Sequence, residues 1–215
     1  MTSTLALPAI LDGQALVRTV GLPVVLFIIF AETGLLLGFF LPGDSLLFAA
    51  GYASSGGIPG VDFPPVWALC LLTTVVAFAG AQTGYVIGRR AGPALFDKPD
   101  SRLFKRSYVD KAQEVLDRYG PAKAIVLARF VPIVRTFLNP LAGAVALPLR
   151  TFTLWNAVGA VLWGSGVVVL GYYLGQVSFI GKNLEVFAAL VVVISFVPIA
   201  LEIRKQRARS REARG

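Results

Sequence analysis

Apolar positions run almost unbroken along this chain, and the few polar ones cluster where the apolar runs are interrupted. Residues 66–88 and 151–181 hold no Asp, Glu, Lys or Arg. Each run exceeds the ~20 helical residues that cross a ~30 Å hydrocarbon core. A shorter uncharged run, 186–201, crosses with help from its flanks. Together they predict at least three membrane crossings. Two further apolar stretches are broken. Residues 19–61 carry only Glu32 and Asp44, the latter directly after Leu41-Pro42-Gly43, and residues 124–149 carry only Arg129 and Arg135, beside Pro132, Asn139 and Pro140.

Proline removes a backbone donor and glycine permits a tight turn, so Pro42 and Gly43 mark one break and Pro132, Asn139 and Pro140 another. Irregular backbone at membrane depth is tolerated only where protein or a wet cavity surrounds it. A charge at the bilayer centre costs at least ~2.5–3.5 kcal/mol on insertion scales, so four of them at two breaks point to a site inside the membrane.

Composition agrees with this class. The chain has 215 residues, of which 56% are hydrophobic and 15% charged, with a mean hydropathy of +0.73. The net charge of +8 is uneven: nine of the twenty Lys and Arg fall between Arg89 and Lys123, and six between Arg204 and Arg214. Bases that flank membrane segments stay cytoplasmic, so both regions belong on that side. A nucleic-acid partner is disfavoured, because the bases border apolar runs and no soluble binding module accompanies them.

That placement shapes the topology. Segments 151–175 and 184–203 make one round trip, so a third crossing at 124–149 would put the basic tail outside. Residues 124–149 therefore read as a re-entrant hairpin from the cytoplasmic face. Run backwards, the same reasoning puts the start of helix 66–88 outside, with 20–55 dipping in from that face. Residues 20–36 read equally as a hairpin arm or as a complete first crossing, because Arg18 is the only base before them. The side of the N-terminus is unassigned, and residues 1–30, which lack an early base and a small-residue cleavage site, read as a retained segment.

The resulting expectation is an all-α polytopic membrane protein. An N-terminal segment (1–19) precedes a first repeat (20–90), made of a broken segment and the spanning helix 66–88. A basic cytoplasmic loop (91–123) follows, in which Val109, Ala112, Leu116 and Tyr119 recur at helical spacing until Gly120-Pro121 stops the pattern. The second repeat (124–181) holds the hairpin 124–149 and helix 151–175. A C-terminal helix (182–203) and a basic tail (204–215) complete the chain. The repeat is visible in sequence: Ala50-Gly51 answers Ala142-Gly143, and Gly84-Tyr85-Val86-Ile87-Gly88 answers Gly171-Tyr172-Tyr173-Leu174-Gly175. By topology the halves face opposite sides, as in transporters built from inverted repeats. The glycines read as helix-packing positions, with the tyrosines near an interface.

Glu32 and Asp44 stand twelve residues apart across the first break and are candidates for proton exchange, since burial disfavours a charged carboxylate. Arg129 and Arg135 stay charged, and their planar donor forks suit a phosphate. The competing reading pairs the two acids with the two arginines. Gln82, Thr136, Trp155 and Asn156 are candidate cavity-lining residues. The chain has no histidine and Cys70 is its single cysteine, so no cofactor or metal centre is expected, and no nucleophile–base pair supports an intramembrane hydrolase.

On Glu32, Phe40-Leu41-Pro42-Gly43-Asp44, Ala50-Gly51 and the run Arg129-Phe130-Val131-Pro132-Ile133-Val134-Arg135-Thr136 leading to Ala142-Gly143, the chain resembles the DedA, or VTT-domain, membrane proteins over roughly residues 20–180. The resemblance implies two opposed re-entrant hairpins and movement of lipids between leaflets, linked to the proton motive force, in the bacterial cytoplasmic membrane. It places the family's key acids on Glu32 and Asp44 and its key arginines on Arg129 and Arg135. The expected partners are protons and a lipid with an anionic phosphate headgroup, such as undecaprenyl phosphate or a phospholipid. The alternatives are a proton-coupled exporter or antiporter for small solutes or cations, and a nonenzymatic scaffold for envelope assembly.

Overall fold

Glycine and proline set the bends of the first helices. In the computed structural model, which describes residues 13–35, 43–96 and 106–177, α1 (Gly13–Gly34) turns sharply at Gly21 (φ 70°, ψ 176°), two residues before Pro23. Only glycine takes that backbone without strain, and Pro23 begins a new run because it has no amide to lose. α1 ends where the sequence predicts a break, and α2 (Gly43–Ser54) starts on the far side of it. Pro42 lies outside the described residues. After α2, Ser54 Oγ donates to the Pro64 carbonyl at 2.7 Å and pins the connecting loop.

α3 (Val66–Phe96) is 31 residues long and outlasts the expected 66–88 run into the first bases. Its apolar part, Val66–Gly92, has 27 residues, or about 40 Å at 1.5 Å per residue. One stripe of it (Leu69, Thr73, Ala77, Ala81, Gly88) is buried, and another (Trp67, Leu71, Val75, Val86) is exposed and wholly apolar. An outward apolar stripe on a helix of this length suits contact with lipid.

α4 (Arg106–Ala128) contains the expected amphipathic pattern, with Ala112 and Leu116 buried. Gly120 (φ 75°, ψ 154°) bends it before Pro121, and the helix resumes to Ala128 rather than ending. Turns over 129–131 separate it from α5 (Pro132–Ala144). This places the second break at Arg129–Val131, with Pro132 as the first residue of the next helix. Asn139 and Pro140, expected at a break, lie inside α5. The proline removes one ladder bond there, but its backbone is clamped against α3, and Asn139 spends its amide on another helix.

α6 (Leu149–Leu174) is the second helix long and apolar enough to cross a membrane, at 26 residues. A π-helical turn at Val161–Ser165 interrupts its α geometry. The described residues are entirely helical apart from turns and loops, with no strand. Residues 1–12, the C-terminal helix expected at 182–203 and the basic tail 204–215 lie outside them.

α2 packs along α6, and α5 packs along α3. Both contacts depend on missing side chains: a Cβ on Gly51 would strike the Val168 carbonyl, one on Gly171 the Phe48 carbonyl, one on Gly143 the Tyr85 carbonyl and one on Gly88 the Pro140 carbonyl. Backbones this close gain dispersion and leave no room for lipid between helices. Val25, Ile29, Leu46, Leu47, Leu69 and Val168 form one core, and Ala81, Ile125, Leu138, Ala142 and Phe152 form a second. Tyr85, expected near an interface, is fully buried in the second core because its hydroxyl finds a carbonyl there.

Candidate functional site

Three helix ends converge between the two cores. Glu32 sits in the last turn of α1, Asp44 in the first turn of α2 and Arg135 in the first turns of α5. The N-termini of α2 and α5 bring positive ends of helix dipoles to this point, and α5 carries no side-chain cap.

Arg135 gathers both acids. Its Nη2 donates to Glu32 Oε1, and Asp44 is held in a fork, with Nη1 to Oδ1 at 2.9 Å and Nη2 to Oδ2 at 3.2 Å. Arg135 and Glu32 are each 3% exposed, so the charges are out of water. The Trp163 indole Nε1 donates to Asp44 Oδ1 at 2.7 Å, and the Arg135 guanidinium lies 4.5 Å above the Trp163 ring. The π turn of α6 presents that ring, so all four elements meet on Asp44 and Arg135.

Arg129 is placed apart from this triad. It is 3% exposed, and its Nη2 donates to Asn156 Oδ1 and to the Ala77 carbonyl at 3.3 Å. Asn156 is fixed in turn by donating Nδ2 to the Phe78 carbonyl at 3.2 Å. The side chain of Arg129 lies over Gly159, where any larger residue would meet its Cδ. Among the described residues no carboxylate forms an ion pair with Arg129, and its Nε and Nη1 have no hydrogen-bond partner. Glu32 Oε2 and Arg135 Nε are likewise buried without one. The two arginines are neighbours, since Arg135 Nη1 reaches the Arg129 carbonyl at 3.5 Å.

The structure therefore brings Glu32, Asp44, Arg129 and Arg135 into one buried cluster, but divides it unequally. Both acids take Arg135, instead of each acid taking one arginine. The outcome is a triad of two acids on one arginine beside a lone guanidinium. Asn139 Nδ2 donates to the Thr33 carbonyl at 2.9 Å and ties α5 to the end of α1. Among the described residues no group of three or more Cys, Asp or Glu side chains is arranged to hold a metal.

Trp163 escaped the sequence reading, and Asn156 appeared in it only as cavity lining. A signal existed for Trp163: it lies mid-way along a spanning helix, between Leu162 and Gly164, whereas a tryptophan in such a helix ordinarily favours the interface.

This chain fits the class of membrane proteins: its described residues are all helical, two helices are long and apolar enough to cross a membrane, and buried charges lie at broken helix ends. Its family follows from comparison with known proteins. Residues 41–173 match the VTT domain. The chain is 41% identical to an uncharacterized membrane protein of Mycobacterium tuberculosis, covering 97% of this chain and 92% of that one. It is 40% identical to an uncharacterized membrane protein of Mycobacterium leprae, over 99% and 96%, and 39% identical to protein DedA of Escherichia coli K12, over 89% and 86%. No solved structure matches. The chain belongs to the VTT-domain, or DedA, family of membrane proteins.

Proposed function

We propose that this protein is a lipid translocase that moves a lipid with an anionic phosphate headgroup, such as undecaprenyl phosphate or a phospholipid, across the bacterial cytoplasmic membrane. The observation that carries the reading is Arg129: a buried guanidinium with two unpartnered donor nitrogens, Nε and Nη1, and no acid paired with it among the described residues. A buried unpaired charge is costly, and a phosphate oxygen satisfies both the charge and the free donors. Arg135 contributes differently from Arg129. Its two Nη groups are committed to Glu32 and Asp44, so it acts as a latch that opens when an acid takes up a proton or a phosphate competes for the fork.

The two halves of the chain, α1–α3 and α4–α6, are read as inverted repeats with their broken tips facing each other. Support comes from the exchanged packing, in which the second helix of each half lies on the spanning helix of the other, glycine against carbonyl in both contacts. The contacts are offset by one helical turn from the Gly-Tyr repeats seen in sequence: Gly143 meets the Tyr85 carbonyl and the Arg89 amide, whereas Gly51 meets the Val168 carbonyl and the Tyr172 amide. Opposed tips of this kind permit access from either face in turn. The basic regions fix the loop 91–123 and the C-terminal tail on the cytoplasmic side in this scheme.

A cation antiporter would need the acids available to an ion, and here both are already engaged by Arg135. The translocase reading is tested in liposomes with purified protein and a labelled polyprenyl phosphate or phospholipid. The wild type moves the label between leaflets, and Arg129→Ala loses most of that activity. Charge-assisted hydrogen bonds are worth about 1.5–3 kcal/mol each, roughly ten- to a hundredfold in affinity. Equal movement by Arg129→Ala and wild type would overturn it.

A further inference from the structure

A polar stripe runs along α3 from the buried Arg129 to the exposed Arg89. Phe78, Gln82, Tyr85 and Arg89 follow one another at intervals of four, three and four residues, which keeps them on one face of the helix. The Phe78 carbonyl accepts from Asn156, the residue that holds Arg129. Gln82 Nε2 donates to Thr153 Oγ1 at 2.7 Å, Tyr85 Oη donates to the Leu147 carbonyl at 2.5 Å, and Arg89 Nη1 donates to Tyr85 Oη at 2.7 Å. From residue 78 to residue 89 the stripe rises about 17 Å, on the order of half the hydrocarbon core. Its partners, Asn156, Thr153 and Leu147, run the opposite way along α6 and the loop before it.

Interhelical hydrogen bonds hold membrane helices together, and that role accounts for the satisfied pairs. It leaves unexplained the orphaned atoms on the same seam: Gln82 Oε1 is buried without a partner, as are Arg129 Nε and Nη1. Polar atoms stranded at this depth are costly unless water or a polar ligand reaches them. The surface end of the stripe is closed by Tyr85. Its ring is 1% exposed and stacked on Phe152 with centroids 4.5 Å apart, and its hydroxyl is tethered on both sides by Leu147 and Arg89.

We propose that the seam between α3 and α6 is a water-accessible route from the surface at Arg89 to the buried Arg129, with Gln82 and Thr153 on its wall and Tyr85 as its gate. Under the translocase reading it is the way a phosphate headgroup reaches Arg129. Water access itself does not depend on which solute moves.

The experiment uses full-length protein in membrane vesicles with Cys70→Ser as the background, since Cys70 is the single cysteine. Gln82→Cys and Thr153→Cys are each exposed to a charged, membrane-impermeant methanethiosulfonate, with Arg90→Cys as the exposed control and Val86→Cys and Leu154→Cys as outward-facing apolar controls. Labelling is expected at residues 82, 153 and 90 and absent at 86 and 154. Adding Tyr85→Phe, which keeps the ring and removes its hydroxyl, is expected to speed labelling of residue 153 about fivefold, the factor for one hydrogen bond of typical net strength. The route is overturned if residues 82 and 153 both stay unlabelled in vesicles yet react after denaturation. The gate is overturned if Tyr85→Phe leaves the rate unchanged. Labelling reads water access alone, so failure of lipid movement leaves its outcome intact, and the two proposals stand or fall separately.

Discussion

Replacing Arg135 with methionine tests whether the triad is one electrostatic unit. The substitution keeps an unbranched apolar stem and removes the only cation paired with Glu32 and Asp44 among the described residues. Two carboxylates are then left facing each other, one of them 3% exposed, and Asp44 keeps only the Trp163 N–H among the bonds described above. Removing one member of a buried ion pair costs about 3–5 kcal/mol, because the remaining charge is stranded. For a chain of this size each kcal/mol lowers Tm by about 2–4 °C, so the expected fall is roughly 6–20 °C. Unfolding is followed in one detergent for four proteins: wild type, Arg135→Met, Glu32→Gln with Asp44→Asn, and the triple variant. The triple variant is expected to recover most of the loss, since neutral amides in place of the carboxylates leave no charge stranded when the cation is gone. The reasoning fails if Arg135→Met is as stable as wild type, or if neutralising the acids rescues nothing.

Trp163→Phe keeps a ring beside Arg135 but removes the N–H that binds Asp44. It is expected to cost about 1.5–3 kcal/mol, the range for hydrogen bonds to charged groups, read as a lower Tm. Gly143→Ala drives a Cβ into the Tyr85 carbonyl and to 2.7 Å from the Arg89 amide; overpacking of about 1–3 kcal/mol should appear as a lower denaturation midpoint. Asn139→Leu strands the Thr33 carbonyl at the end of α1. It should cost about 1–3 kcal/mol in the same assay.

The helices and breaks were legible because they follow from local chemistry. Charge-free runs gave α3 and α6, and Gly43 with the acids on either side of it located the first break. The second break was harder to read, since three polar or proline positions competed for it. Pro132 suits the first turn of a helix and marks a start, whereas Pro140 is tolerated in mid-helix because neighbouring backbones pack around it. That acids would meet arginines was legible, but which would meet which was not. Spacings of twelve and six residues say nothing about which acid meets which arginine, because that is decided by how α1, α2 and α5 cross. Trp163 was hidden for a related reason: in an apolar run it has the same pattern as any packing residue, and only the π turn aims it at Asp44. The repeat was visible as motif, but its one-turn offset arises where backbones touch and leaves no trace in residue identity.

The Arg135 contacts bridge separations of 103 residues to Glu32 and 91 to Asp44. A ribosome therefore delivers both acids to the bilayer long before their counter-ion exists. Until then the first half carries two uncompensated charges, each costing at least ~2.5–3.5 kcal/mol at membrane depth. The nascent N-terminal half is thus an insertion intermediate that needs shelter, either by holding its broken tip near the interface or by leaning on the insertion machinery. Arrival of α5 is then expected to be the event that commits the chain. Separately expressed halves should for the same reason be degraded alone and preserved together.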